Sequence, residues 1–152
     1  MQANQATVQP CQSFEGNAFL QLWNYRLHVG VPEIDRDHKI LVTIASRLFH
    51  SRSQYLSNLV ISNILSDIAD YAQEHFSHEE FLMMQTRYPK CAEHVVEHWA
   101  FIHEMSRLVD IFERTPSEIL PKLKKYLIEW LVHHGTIDDI EFGQFWKDQH
   151  TC

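Results

Sequence analysis

The sequence predicts an all-α protein, an antiparallel up-down four-helix bundle with an N-terminal arm and a short C-terminal extension. Three observations predict it. Four stretches carry apolar residues at steps of three and four, the spacing of one helix face. Breaks rich in Gly, Pro or Ser separate them, and short joins make sequential helices antiparallel neighbours. No stretch sustains the apolar/polar alternation of a half-buried strand.

The expected layout is one domain over 1–152, with an arm to about 33, the bundle over about 34–139 and an extension over about 140–152. Within the arm, Trp23 and Tyr25 are expected to fold against the body. Gly30-Val31-Pro32 ends any helix there, and Pro32 suits a turn or a first helical turn. The first helix is expected to open near Asp35, with Ile34, His38, Leu41, Ile44, Ala45 and Leu48 in line, and to fade across Ser51, Arg52 and Ser53. The second covers roughly 55–86, with Leu56, Val60, Ile64, Ile68, Tyr71, His75 and Leu82 on one side, and stops before Tyr88-Pro89. The third runs over about 90–112, burying Val95, His98, Phe101, Ile102, Met105, Leu108, Val109 and Phe112. Thr115-Pro116 restarts the chain, with Thr115 as a candidate cap and Pro116 at the first helical position. Pro121 is expected to bend or restart the fourth helix, and Gly135 to loosen it. Phe142, Phe145 and Trp146 equip the tail to add a short cap.

A chain of 152 residues can bury roughly two thirds of its unfolded surface, enough for a core without staples. An apolar content of 45% argues against gross disorder. With 20 acidic against 13 basic side chains, net −7, there is no basic patch of the kind nucleic acids or anionic membranes require. Lys122, Lys124 and Lys125, the densest basic cluster, read as a solvated helix face. Cys11, Cys91 and Cys152 are odd in number and scattered, so no disulfide framework is implied and a reducing, cytoplasmic location is the simpler expectation. Cys91 sits at a helix start, where a thiolate gains mild stabilisation. The first twelve residues lack the basic start and apolar run of a signal peptide, and no stretch reaches membrane-spanning length.

The chemistry lies in seven donors: His38, His75, Glu79, His94, His98, His134 and Asp139. They fall on four helical stretches. His75/Glu79 and His94/His98 are each i,i+4 pairs, one turn apart on one face. One such pair is commonplace on a wet helix. Here both pairs lie among apolar residues, where unpartnered imidazoles and carboxylates would be costly. A pair of metal ions takes up their lone pairs, and seven donors suffice for two metals if the carboxylates bridge. The set contains no thiolate, which argues against iron–sulfur or thiolate zinc, and five imidazoles argue against calcium and magnesium. Mixed nitrogen and oxygen favours iron, with zinc, manganese or cobalt as substitutes. A bundle with incidental histidines would require seven coordinated positions to be accidents.

At this point the chain resembles the single-domain bacterial hemerythrins. The resemblance runs from Trp23 through Gly30-Val31, Ile34-Asp35 and His38, continues through His75-Phe76-Ser77-His78-Glu79-Glu80, Met84, Tyr88-Pro89, His94 and His98, and closes with Trp130-Leu131, His134, Asp139 and Phe142. It covers roughly residues 20–143. It implies that His94, His98 and His134 hold one iron, and that His38 and His75 hold the other. Glu79 and Asp139 would bridge both, beside an oxo or hydroxo group. The second iron is then one ligand short, and there the family binds dioxygen reversibly. Leu131 matches a position lining the dioxygen pocket, with Trp130 close by.

Several residues leave alternatives open. Gly135 stands where the family carries a bulkier residue, which would loosen the last helix and speed autoxidation. His133 and Asp138 repeat the five-residue step of His134 and Asp139; the phase from Trp130 and the spacing from His98 favour the latter pair. His78 is expected at the surface or backing the cluster, and Asp35 to cap the first helix or to accept a hydrogen bond behind a ligand. His28, His50, His103 and His150 read as surface groups. The expected function is dioxygen storage, transport or delivery by a monomer rather than an enzyme, with a possible redox or oxygen-accepting protein partner. The alternatives are oxygen or redox sensing through a partner, and peroxide or nitric oxide reduction at the same irons. A ferritin-like store fits less well, because its sites are carboxylate-rich.

Overall fold

A computed structural model describes residues 26–50 and 55–150. Trp23, Tyr25, Cys11 and Cys152 lie outside the described residues. The helices are α1 (Pro32–Phe49), α2 (Asn58–Thr86), α3 (Cys91–Arg114), α4 (Pro116–His133) and α5 (Asp139–His150). A π-helical turn, His134–Asp138, joins the last two. No strand occurs among the described residues, and no described helix is long and apolar enough to cross a membrane.

Helix α1 opens three residues before Asp35, because Pro32 occupies its first turn, where a missing N–H costs nothing. The Asp35 carboxylate accepts from the Val29 and Gly30 amides at 2.7 and 3.0 Å, with the His28 Nε2 3.3 Å away. It therefore neither caps α1 nor backs a metal-site residue; it clamps the approaching chain, in which Gly30 adopts φ +83°. Helix α2 starts at Asn58, where the Ser57 hydroxyl accepts from the Val60 amide at 3.3 Å. It ends as Arg87 turns left-handed, φ 56°, and its amide bonds to the Met84 carbonyl. Val60, assigned to the buried side, is exposed in this first turn.

Thr115 does not cap α4. Its hydroxyl donates backwards to the Ile111 carbonyl at 3.3 Å. Pro121 does not restart the helix, which runs unbroken from Pro116 to His133. The carbonyl that loses its helical donor to Pro121 is that of Ser117, in the first turn, so the bond is missing at the helix end and not in its interior. The tail forms a three-turn helix, α5.

The helices alternate in direction. Arg47 meets Asp67 and Asp37 meets His78 across α1 and α2, while Phe76 meets Phe101 and Glu80 meets His98 across α2 and α3. Two apolar clusters result. The larger is built around Leu41, Leu65, Phe76, Phe101, Leu123 and Leu127. The smaller packs Val29, Val31, Ile34, Met83, Tyr88 and Phe142. Each stretch crosses from one to the other through the seven donors: Ile34–His38–Leu41, Ala72–His75–Glu79–Met83, Cys91–His94–His98–Phe101 and Leu131–His134–Asp139–Phe142. The polar centre is thus sealed above and below by hydrocarbon.

Candidate metal centre

All seven donors are buried, with Glu79 at 0% and Asp139 at 1% exposure. The structure brings them into two groups that share Glu79: Glu79, His94, His98 and His134 on one side, and His38, His75, Glu79 and Asp139 on the other. Within each group the donor atoms lie within 4.8 Å of one another. Asp139 faces both groups. Its Oδ1 is 3.2 Å from His94 Nε2 and 3.1 Å from His134 Nε2, and its Oδ2 is 3.0 Å from His38 Nε2. Glu79 Oε2 stands 3.2 Å from both His94 and His98 and 3.9 Å from His75. His133 is exposed, whereas Asp138 flanks the centre, its Oδ2 3.5 Å from His134 Nδ1.

The i,i+4 pairs follow from regular helix. His134 and Asp139 do not, since five residues of α-helix would separate them by roughly 140° around the axis. The π turn supplies the missing rotation: the Asp139 amide bonds to the His134 carbonyl, five residues back. Gly135 lies in this turn, and its role differs from the expected loosening. A Cβ there would sit 2.2 Å from Leu27 Cδ2, so the glycine makes room for Leu27 to pack against the turn. The Leu27 carbonyl in turn accepts from His38 Nδ1 at 3.2 Å.

A metal pair fits these residues on their own chemistry. Glu79 Oε1 and both Asp139 oxygens are buried without a hydrogen-bond partner. His98 Nε2 and His134 Nε2 face each other at 3.1 Å, a contact that is repulsive between two lone pairs unless a proton or a cation lies between. The outer nitrogens fix which atom carries the lone pair. His98 Nδ1 donates to Glu80 Oε1 at 2.8 Å, and His38 Nδ1 to the Leu27 carbonyl, so Nε2, the nitrogen facing the carboxylates, is the one that can offer a lone pair on both rings.

The electrostatics show the same strain. Burial alone would lower His94 and His134, but the Asp139 and Glu79 carboxylates outweigh it and raise them to about 9 and about 10. Burial pushes His75 down to about 4. Burial opposes charge on Glu79, yet the surrounding histidines hold it well below the usual carboxylate range. Asp139 is likewise depressed, against both burial and the Glu79 charge, chiefly by His134 and His38. A metal-free centre therefore holds protons where cations would otherwise sit.

A cavity of about 10 Å³ opens beside the centre, lined by His38, Leu41, His75, Trp130, Leu131 and Gly135 among others. That is about the volume one water-sized molecule requires. Trp130 stacks on His134, with ring centroids 4.3 Å apart, and Phe76 stacks on His98 at 3.8 Å.

These donors fall inside a known family's domain. Residues 29–144 match the hemerythrin HHE cation binding domain, three quarters of the chain. The chain belongs to the hemerythrin family. It is similar to the bacteriohemerythrin of Stenotrophomonas maltophilia, 28% identical over 79% of this chain and 77% of the relative. The Pseudomonas paraeruginosa bacteriohemerythrin is 30% identical over 78% of this chain and 76% of its own length. That of Clostridium acetobutylicum is 23% identical over 80% and 97%.

Sequence reasoning missed Asp37, which is 2% exposed yet outside the seven donors. Standing between Arg36 and His38, it falls outside the apolar line of the first helix. It accepts from the Tyr71 hydroxyl at 3.2 Å, and its Oδ2 lies 2.7 Å from His78 Nδ1. Burial and the Asp37 charge raise Tyr71 to about 12, so its hydroxyl stays a donor. His78 itself is half-exposed. Cys91 also differs from its sequence reading: burial, with Glu80 and Glu93, pushes its thiol up rather than down.

Proposed function

We propose that this hemerythrin-family chain binds dioxygen reversibly at a di-iron centre. Asp139, with one oxygen turned to each donor group, is the observation that carries this reading, because a single ion would leave one group unused. His94, His98 and His134 would hold one iron, and His38 and His75 the other. Glu79 and Asp139 would bridge them, beside an oxo or hydroxo group from solvent. When bound, the two irons supply the electrons and the open coordination position that reversible dioxygen binding needs.

The chain's own residues govern what reaches that position. The His38/His75 group has two imidazoles and the opposite group three, so the vacancy belongs on the His38/His75 side. The small cavity lies on that side, between His38 and His75 and the apolar side chains of Leu41, Leu131 and Trp130. Hydrocarbon there excludes water and proton donors, which favours release of intact dioxygen over irreversible oxidation. Such a pocket suits storage or delivery to an oxygen-accepting or redox partner more than turnover.

The test is metal analysis joined to visible spectra of reduced, oxygenated and oxidised protein over time. Two irons per chain and an oxygenated spectrum that reverts under vacuum are expected. Prompt oxidation with no reversible phase would refute binding as the function, and repeated turnover of peroxide or nitric oxide with a reductant would favour an enzyme.

A further inference from the structure

The histidines of the centre share one arrangement: Nε2 faces the shared carboxylates and Nδ1 faces away. Three outer nitrogens meet an oxygen. His38 Nδ1 has the Leu27 carbonyl, His98 Nδ1 has Glu80, and His134 Nδ1 has Asp138 at 3.5 Å. Of these rings and His75, both His134 Nδ1 and His75 Nδ1 are buried without a hydrogen bond, and Asp37 Oδ2 stands 4.0 Å from the latter.

Asp37 is a buried carboxylate that needs a reason to be there, since an underused buried charge is costly. Tyr71 and His78 hold it, and Arg36 Nε lies 3.7 Å from Oδ1. Tyr71, His75 and His78 fall at i, i+4 and i+7 along α2, so they share the face that packs on Asp37. Tethering α1 to α2 explains Tyr71 and His78. It does not explain why the same oxygen also stands nearest a buried ring nitrogen that has no hydrogen bond.

We infer that Asp37 is the positioning residue for His75: its carboxylate, fixed by Tyr71 and His78, accepts from His75 Nδ1–H and so commits Nε2 as the lone-pair nitrogen facing the metals. This rests on the di-iron reading. At 4.0 Å the pair stands beyond hydrogen-bond distance, so it must draw closer for this bond to form. The acceptor then increases the donor strength of His75, as such partners do behind ligating histidines. Its effect falls on one iron of the two, the one beside the cavity.

The experiment is anaerobic titration of the metal-free full chain with ferrous iron against a chromogenic chelator, with thermal melting of each metal-free variant alongside. Asp37→Leu should weaken the second iron about 10–100-fold while the first keeps its wild-type affinity. Asp37→Asn retains an acceptor oxygen and should lose less, again at the second iron alone; it carries the comparison if Asp37→Leu does not fold. The double variant Tyr71→Phe/His78→Gln removes the tether but keeps the carboxylate. It should melt earlier, yet bind the second iron far more tightly than Asp37→Leu. Nitrogen-15 NMR should show His75 protonated on Nδ1 in wild type and a tautomer mixture in Asp37→Leu. Equal weakening of both irons, unchanged affinity in the Asp37 variants, or a loss in the tether variant matching Asp37→Leu would each overturn the inference. A wild-type chain that takes up two irons separates these results from a failure of the di-iron reading; one that takes up fewer ends both.

Discussion

Loading the centre with metal should expel protons, and the structure sets how many. His94, at about 9, and His134, at about 10, are both charged at pH 8 in the metal-free protein, by roughly nine tenths and nearly fully. A ligating nitrogen must give up that proton, so these two rings release about two on metal uptake at pH 8. His38, also raised against burial by Asp139 and Glu79, and a hydroxo bridge formed from water add to that number. His75, held neutral down to about 4, adds none. Apparent metal affinity should then rise at least roughly 100-fold per pH unit between about pH 7 and 8. The sign for the metal-free fold is opposite. Both rings are raised above the ordinary 6.5, so their contribution to stability is complete below 6.5 and is lost as pH climbs through about 9 and 10. Alkaline solution should therefore weaken the empty bundle while it tightens metal. Titration calorimetry in two buffers of different ionisation enthalpy counts the protons, and chelator competition across pH measures the slope. A count near zero, with affinity flat in pH, would refute the argument that the carboxylates keep these two histidines charged.

Three further outcomes follow from particular contacts. Gly135→Ala puts a Cβ 2.2 Å from Leu27 Cδ2, so overpacking of about 1–3 kcal/mol competes with about 1 kcal/mol of helix propensity gained. A lower melting temperature is expected, recovered at least partly by adding Leu27→Ala; a double-mutant cycle without coupling removes the contact from the explanation. Leu131→Ala deletes a 5%-exposed wall of the cavity and should cost about 2–5 kcal/mol in denaturant unfolding while speeding dioxygen loss and autoxidation; unchanged kinetics would remove it from the pocket. His98→Ala takes a donor from the three-histidine group and leaves Glu80 without its partner, so iron content should fall below two per chain; full retention with normal spectra rejects its role.

Much of this centre is legible in the chain because it rests on regular helix. A step of four residues returns to one face whatever the surroundings, so spacing alone pairs His75 with Glu79 and His94 with His98, and the apolar line of the first helix places His38. The apolar phase around them names most of the core for the same reason. Helix ends are less legible. Pro32 suits a turn or a first helical turn equally, and Pro121 either a restart or an early helical position, so packing decides that α1 opens at the one and α4 runs past the other.

The sequence alone determined the four helical stretches and the seven candidate donors that meet at one buried centre, because side-chain chemistry and helical periodicity are local. Tertiary structure decided how His134 and Asp139 come to face one centre, since that needs a π turn, and the turn is packed against Leu27 from a segment more than a hundred residues earlier. It also decided that Asp37 is buried beside His75 rather than solvated, and that the Cys91 thiol is raised. Hydrogen-bond slippage in a helix and the burial of a charge are settled by what packs across the bundle, and neither leaves a periodic trace in the chain.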